Sequence, residues 1–266
     1  YWGYALRIGI PIVPHYLSGI ILNQGDRIMI DKMVGKTEVA LYGLAYSIGM
    51  LVQLFISGMN SALTPWMYSK IKKGDIRSMR KVLQLLSVVV VGIAVALMLI
   101  SPELVLIFGS PKYREAVYVI PPVAASVFFI FIYNILSMPQ FYYEKTQFLM
   151  AASMAAAGAN VVLNFIFIRL FGYIAAGYTT LACYMLYSVG HYIVSKRILV
   201  NEGIQENLMN PGFLLACSVF LIGASIICNL IFPYRILRYA ILLASAGLVF
   251  WKKELLLKTM ADIRKK

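Results

Sequence analysis

Charged side chains are scarce in this sequence. Lys, Arg, Asp and Glu together make up 13% of its 266 residues, whereas 61% of the residues are hydrophobic. Soluble domains carry roughly 25% charged residues, and a water-soluble fold of this length could not bury so much apolar surface. The mean hydropathy of +0.79 agrees with this conclusion. The composition therefore predicts an integral membrane protein.

Acidic residues are the rarer of the two charge types. There are 11 Asp and Glu against 24 Lys and Arg, which gives a formal net charge of +13. Such a charge can indicate nucleic-acid binding. In a membrane chain, however, the excess of basic residues in cytoplasmic loops and the attraction to anionic lipid headgroups account for it. We therefore expect contacts with membrane lipids and no nucleic-acid partner.

Residue types that build metal and catalytic sites are also few. Cys183, Cys217 and Cys228 lie singly in apolar runs, and the two histidines, His15 and His191, are far apart. We predict neither a metal site nor a cofactor, and we interpret the thiols as inert buried groups and His191 as a membrane-interface histidine. Phosphate-binding glycine loops, nucleophile elbows and paired carboxylates on loops are missing too. An enzyme is the class that the sequence supports least.

Apolar runs long enough to cross a bilayer, about 20 residues each, occur eight times. They are continuous and do not alternate with polar residues, which favours helices over the strands of a barrel. We therefore predict an all-α, polytopic membrane helix bundle of about eight transmembrane helices. Their approximate bounds are 5–30, 39–68, 82–101, 116–142, 148–168, 173–194, 212–231 and 236–251.

The basic residues are unevenly divided between the two sets of loops. Sixteen of the 24 lie on the side that holds the 65–81 loop and the tail 252–266, and eight lie on the other side. The positive-inside rule places the richer side in the cytoplasm. Both chain ends are then expected to be cytoplasmic, as an even number of crossings requires.

The predicted first helix carries helix-breaking and charged residues at membrane depth. Pro11 and Pro14 each remove a backbone donor and favour a kink, and His15 follows them. The helix then ends in LNQGDRIMIDKMVGK, residues 22–36. Charges at membrane depth normally face a bundle interior or a water-filled cavity. The alternative is that residues 26–32 form a stop signal at the membrane surface, and both interpretations stay open.

Helical spacing indicates which polar side chains can meet. Arg27 and Asp31 are four residues apart, so a helix brings them to one face, where they can form an ion pair. Asn160 and Asn164 have the same spacing. We expect them to make an interhelical hydrogen bond first and to line a cavity second.

The end of the predicted fourth helix is rich in aromatic and amide side chains. Gln140 and Tyr143 lie in its final stretch, SMPQFYYEKT. Tyrosine at a helix end is usually a membrane-interface residue. Contact with a sugar is the second interpretation.

Four stretches in order resemble a known family: GIPIVPHYLSGIILNQGDRIMIDKMVGKTEVALYGLAYSIG, ALTPWMYSKIKKGD, ELVLIFGSPKYREAVYVIPP and YYEKTQFLMAASMAAAGANVVLNFIFIRLFGYIAAGYTTLACY. They are similar to the second half of polysaccharide flippases in the multidrug/oligosaccharidyl-lipid/polysaccharide exporter superfamily. Those proteins typically show a Pro-rich entry, Asp-Arg, a short Gly turn and a Gly-hydrophobe-Tyr step. In this sequence the Tyr of that last step comes before the Gly.

The resemblance implies a two-bundle architecture of 12 to 14 helices. The eight helices predicted here would be the seventh to the fourteenth. Residues 1–194 would then form the second bundle, 195–251 two additional helices and 252–266 a basic cytoplasmic tail. We expect an N-terminal bundle outside this chain.

The resemblance also implies a function and a set of partners. It implies a flippase that moves an undecaprenyl-diphosphate-linked oligosaccharide across a bacterial or archaeal cytoplasmic membrane by alternating access, for surface polysaccharide synthesis. A polysaccharide polymerase and glycosyltransferases would work beside it. An ion-coupled multidrug antiporter of the same fold, or a non-transporting membrane subunit, are the alternatives.

Under the flippase hypothesis the polar residues acquire roles. Arg27 and Lys32 would meet the diphosphate, since a guanidinium matches phosphate oxygens. Asp26 and Asp31 would hold those cations or titrate with an ion, and His15 would assist. Contacts with the sugar or its lipid carrier are expected from a further set: Gln140, Tyr143, Asn160 and Asn164. Acidic residues are scarce in the other helices, so no further ion-coupling residue is predicted.

Overall fold

The protein is helical along the described part of the chain. The computed structural model describes residues 2–251, without the side chains at 4, 5, 7, 8, 11, 246 and 248–251, and contains no strand in that range. The predicted tail 252–266 lies outside the described residues. In chain order the helices are α1 (Trp2–Met33), α2 (Lys36–Gly49), α3 (Leu51–Lys72), α4 (Ile76–Phe108), a 3₁₀ segment (Pro111–Val119), α5 (Ile120–Tyr142), α6 (Thr146–Phe171), α7 (Ile174–Asn201), α8 (Pro211–Ile231) and α9 (Arg235–Trp251).

These elements form eight helical segments, one for each predicted span. Only Met50 separates α2 from α3, and the 3₁₀ segment leads directly into α5. The prediction of an all-α polytopic bundle is confirmed. Within residues 2–251, five segments are long and apolar enough to cross a membrane by length and composition: 36–72, 76–108, 111–142, 146–171 and 211–231.

Most helices extend beyond the predicted bounds. The segment 65–81, expected to be a loop, is helical except for the turn 73–75. Gly74 lies in this turn with a φ of 66°. The basic residues of this segment therefore lie on the ends of α3 and α4 and, in the case of Lys73, in the turn between them. Similarly, α7 ends at Asn201, later than the division that we predicted at residue 194. Apolar content marks the part of a helix that lipid requires, but it does not mark the turns that extend into water.

Asp75 fixes the turn between α3 and α4. Its carboxylate caps α4 by accepting a hydrogen bond from the Ser78 amide at 3.2 Å, and it pairs with Lys70 Nζ at 2.6 Å. The hydrogen bond from the Lys70 ammonium lowers the pKa of Asp75 to about 2. The cap therefore stays ionised at neutral pH, where it satisfies an orphan amide of the helix start.

Helix α5 forms the centre of the bundle. Eighteen of its 23 residues are buried, and it packs against α3, α4, α7 and α8. From Ile120 to Ile132 its residues are apolar on every face except for Ser126, whose hydroxyl donates to the Val123 carbonyl of the same helix. Such a sequence is expected of a helix surrounded by other helices. Helices α8 and α9 pack on the α4 side of this core.

Helices α1, α6 and α7 form the other flank. Helix α1 packs mainly against α6, α6 packs against α7, and α7 packs against α5. Small residues in 151–160 of α6 allow α1 to approach closely, as is common between membrane helices. The polar side of α1 therefore faces the interior between α2, α6 and α7.

Candidate functional site

A buried carboxylate lies where α1, α2, α6 and α7 meet. Asp26 of α1 is fully buried. It accepts hydrogen bonds from Tyr42 Oη at 2.5 Å, Asn164 Nδ2 at 2.7 Å and Thr180 Oγ1 at 2.8 Å. These three donors are neutral, and no cationic side chain of the described residues lies within 4.0 Å of the carboxylate. An ionised carboxylate buried without a counter-charge is costly.

A second set of polar atoms surrounds this carboxylate. Asn164 Nδ2 also donates to Asn160 Oδ1 at 3.1 Å, and Thr179 Oγ1 donates to Asn164 Oδ1. Both asparagines are fully buried, and Asn160 Nδ2 has no partner in the described part of the chain. We call Asp26, Tyr42, Asn160, Asn164 and Thr180 the carboxylate cluster. The interhelical hydrogen bond predicted for this asparagine pair is formed by Asn164.

The carboxylate cluster has the chemistry of a site for a proton or a small hard cation. It brings together one carboxylate, two amide oxygens and two hydroxyls, and hard cations prefer such oxygen ligands. Either ion would neutralise the single buried charge of Asp26. Within the described residues no group of three His, Cys, Asp or Glu side chains is assembled.

Arg27 lies beside this cluster on the next face of α1. The half-buried guanidinium donates to Gln24 Oε1 at 2.9 Å, and its carbon lies 5.1 Å from the centre of the Tyr46 ring. Tyr46 in turn donates to Asn23 Oδ1 at 2.8 Å. Arg27 therefore joins α1 to α2, and its buried Nε has no hydrogen-bond partner among the described residues.

The predicted ion pair between Arg27 and Asp31 is wrong. Helical side chains point towards the helix N-terminus, so the Arg27 guanidinium reaches back to Gln24 and away from Asp31. Asp31 and Lys32 are both exposed in the last turns of α1. Asp26 also holds neither Arg27 nor Lys32, because it faces the bundle interior, whereas Arg27 lies on the next face of α1 and Lys32 is exposed. Residues 26–32 thus combine a buried carboxylate with a surface-exposed end.

A second polar cluster lies towards the other end of the same helices. His15 Nδ1 of α1 lies 2.5 Å from Ser153 Oγ of α6 and 3.1 Å from Tyr187 Oη of α7, and the two oxygens are 2.7 Å apart. We call these three residues the histidine cluster. It ties together α1, α6 and α7, three of the four helices that meet at the carboxylate cluster.

Gln140 and His191 extend the histidine cluster into the bundle. Gln140 Nε2 donates to His191 Nδ1 at 2.8 Å, and the His191 ring lies 4.5 Å from that of Tyr187. Both residues are fully buried. The interpretation of His191 as a membrane-interface residue is therefore wrong, because α7 turns this face towards α5. Tyr143 directly follows α5 and is half-buried, and its ring centre lies 4.9 Å from that of Tyr142.

A small cavity runs along α1 between the two clusters. Its volume is about 220 Å³. Its lining includes His15, Asn23, Tyr133, Tyr184 and Tyr187. Asn23 is one helical turn from Asp26, so the cavity connects the neighbourhood of both clusters.

Pro11 and Pro14 lie inside α1, which is continuous from Trp2 to Met33. The ring of Pro11 lies outside the described side chains. The kink expected at these positions stays a prediction.

Several residues of both clusters were not identified from the sequence. Ser153, Thr180 and Tyr187 lie at least 138 residues along the chain from His15 or Asp26, and Tyr42 lies on the next helix, 16 residues from Asp26. One signal was available: Tyr184, Tyr187 and His191 follow the i, i+3, i+7 spacing of a single helix face. A transmembrane helix with hydroxyls and an imidazole on one face must direct them to the protein interior.

Sequence comparison identifies the family of the chain. The MatE family profile matches residues 11–166, from α1 to α6. The chain belongs to the MatE family. Members of this family are membrane transporters of the multidrug/oligosaccharidyl-lipid/polysaccharide exporter superfamily, so the predicted superfamily is confirmed. Asp26, Asn160 and Asn164 lie within the matched range, whereas Thr180 and helices α8 and α9 lie beyond it.

Two curated relatives from Haemophilus influenzae are similar to part of the chain. The "Lsg locus putative protein 1" is 29% identical over 159 residues, which cover 57% of this chain and 38% of the relative. An "Uncharacterized membrane protein" is 30% identical over 152 residues, or 54% of this chain and 36% of the relative. The chain therefore spans well under half of either relative. No solved structure gives a significant match.

Proposed function

We propose that this MatE chain is the ion-coupled part of a flippase for undecaprenyl-diphosphate-linked oligosaccharides in a prokaryotic cytoplasmic membrane. The observation that carries the proposal is the buried Asp26 carboxylate, which three neutral donors from three other helices hold without a counter-charge. Alternating access against a second bundle would expose this site to each side of the membrane in turn.

The coupling step follows from the electrostatics of the carboxylate cluster. A proton or sodium ion that binds Asp26 neutralises the buried charge and favours close packing of α1, α6 and α7. Loss of the ion leaves an uncompensated charge, which favours an arrangement that admits water. Ion binding therefore biases the equilibrium between two packings of these helices, as coupled transport requires.

The substrate step rests on Arg27. Its guanidinium is held by Gln24 and the Tyr46 ring, beside the ion site but not paired with a carboxylate. A free guanidinium fork matches the oxygens of a diphosphate. Lys32, exposed in the last turn of α1, would add a second positive charge at the helix end.

Other predicted substrate contacts need the bundle to open. Gln140, Asn160 and Asn164 are fully buried in this conformation. We propose them as residues of the pathway that become accessible when α1 separates from α6 and α7. Tyr143, at the end of α5, is already half-buried and close to the surface.

Replacing Arg27 tests the substrate assignment. In the full-length protein expressed in its own host, we expect Arg27→Ala to abolish surface polysaccharide and to accumulate the lipid-linked oligosaccharide, because the diphosphate loses its cationic contact. Immunoblotting of membranes should show unchanged protein levels. Arg169→Ala is the matched control, since Arg169 is exposed on α6 over the Phe165 ring.

Normal surface polysaccharide in the Arg27→Ala strain would contradict the proposal. The rival is an antiporter for aromatic cations, which the tyrosine-lined cavity beside His15 would accommodate. In that case expression in a pump-deficient host would raise resistance to such compounds, and the Arg27→Ala variant would retain this resistance.

A further inference from the structure

A charged cavity lies at the end of the bundle far from the turn 73–75, away from both polar clusters. It has a volume of about 710 Å³ and lies between the end of α4, the 3₁₀ segment and the start of α9. Three guanidiniums line it, from Arg114, Arg235 and Arg238, together with the carboxylates of Glu103 and Glu115. Apolar side chains such as Phe232 complete the wall. The cavity is therefore amphipathic and carries a net positive charge.

Arg238 builds the inner wall of the cavity. It is 3% exposed, and it forms a bidentate pair with Glu103 at 2.8 Å for both bonds. It also donates to the Leu99 carbonyl at 2.6 Å. Its Nε has no hydrogen-bond partner among the described residues. Arg238 therefore fixes a guanidinium in the inner wall, and its unpaired Nε leaves this buried group short of one acceptor.

The other two guanidiniums are free to reach a ligand. Arg114 is exposed. The Arg235 side chain is 72% exposed, and its pairing with Glu103 is loose, with 4.0 Å between Arg235 Nε and Glu103 Oε1. Arg235 is also the first residue of α9, where the helix dipole adds positive potential. Of the two carboxylates that line the cavity, Glu103 is paired with arginine, whereas Glu115 forms no ion pair with the part of the chain that the structure describes.

We propose that this cavity binds the phosphate of a lipid headgroup. Arginines at the end of transmembrane helices suit phosphate oxygens, and the apolar wall suits the start of an acyl or prenyl chain. The ligand is either an anionic phospholipid of the bilayer or a polyprenyl diphosphate. The site is separate from Arg27 and does not depend on the proposed flippase activity.

Lipid binding to the purified full-length protein tests the site. We would measure by native mass spectrometry the dissociation constants of phosphatidylglycerol, farnesyl diphosphate and diacylglycerol, which lacks a phosphate. We expect Arg114→Gln/Arg235→Gln to bind the phosphate lipids at least tenfold more weakly, with an unchanged melting temperature because both side chains are exposed. Glu115→Gln should bind them more tightly, since it removes the opposing charge.

The control is Lys36→Gln/Lys112→Gln, which removes two exposed charges at the same end of the bundle, neither of them in the cavity lining. Its affinity for the phosphate lipids should equal that of the wild type. Binding of phosphatidylglycerol assigns the site to bulk lipid, and binding of farnesyl diphosphate alone assigns it to polyprenyl diphosphates. Equal affinity in the wild type and the Arg114→Gln/Arg235→Gln variant would overturn the proposal. Equal retention of diacylglycerol would overturn it as well.

Discussion

At the scale of single residues, two carboxylates of α1 have opposite environments. Asp26 is fully buried among neutral donors, whereas Asp31, little more than one helical turn later, is exposed. A helix rotates by about 100° per residue, so neighbouring positions face different surroundings. Only Asp26 is placed where binding an ion would change the packing of three helices.

Asp26→Asn keeps the size of the side chain and removes its charge. Because the amide imitates the ion-bound state, we expect transport driven by an ion gradient to fall at least tenfold in proteoliposomes, while the melting temperature is maintained or rises. Fluxes of sodium ions and protons, measured separately, would identify the coupling ion. Asp31→Asn is the control on the same helix, and we expect its transport rate to remain normal.

Retention of full gradient-driven transport by Asp26→Asn would show that the buried carboxylate is structural. A large loss of melting temperature would show instead that Asp26 acts as a required acceptor for Tyr42 and Thr180.

Spacing along one helix predicted part of the carboxylate cluster. Asn160 and Asn164 could be placed on one face of α6 because both lie on the same segment. The donors Tyr42 and Thr180 could not be found in this way, since Thr180 lies 154 residues from Asp26. Their contact depends on how α2 and α7 pack against α1, and single-sequence periodicity carries no such information.

At the scale of helices, the junction of α2 and α3 depends on a close approach to α5. A Cβ at Gly49, the last residue of α2, would lie 2.7 Å from Val123 Cγ1 and 2.9 Å from Val123 Cβ. Such distances are far inside van der Waals contact, so the glycine allows the chain to bend against the central helix. The sequence predicted one uninterrupted helix over 39–68, because both halves are apolar and contain no proline near Met50.

Gly49→Ala tests this approach. We expect the free energy of unfolding to fall by about 1–3 kcal/mol, the usual cost of overpacking a core. Gly43→Ala in the same helix is the matched control: a Cβ there has no heavy atom within 4 Å, and alanine favours helix by up to about 1 kcal/mol. Thermal unfolding in detergent measures both, and equal melting temperatures would show that α2 can move away from Val123 without cost.

At the scale of the whole molecule, the two polar clusters lie towards opposite ends of the bundle. Asp26 lies about 10 Å from the end of α1 at Met33, at a rise of about 1.5 Å per residue. The histidine cluster lies nearer the end that contains the turn 73–75. If the basic end faces the cytoplasm, an ion from outside reaches Asp26 first, and the histidine cluster lies on the route to the cytoplasm.

Cysteine labelling decides this orientation. We would introduce Lys73→Cys or Lys112→Cys in a Cys217→Ser background, in which Cys183 and Cys228 are buried and unreactive. Lys73 lies in the turn between α3 and α4, and Lys112 lies in the 3₁₀ segment at the opposite end. With a membrane-impermeant maleimide, we expect Lys112→Cys to be labelled in intact cells and Lys73→Cys only after permeabilisation. The reverse pattern would invert the bundle, and the coupling ion would then reach Asp26 from the cytoplasm.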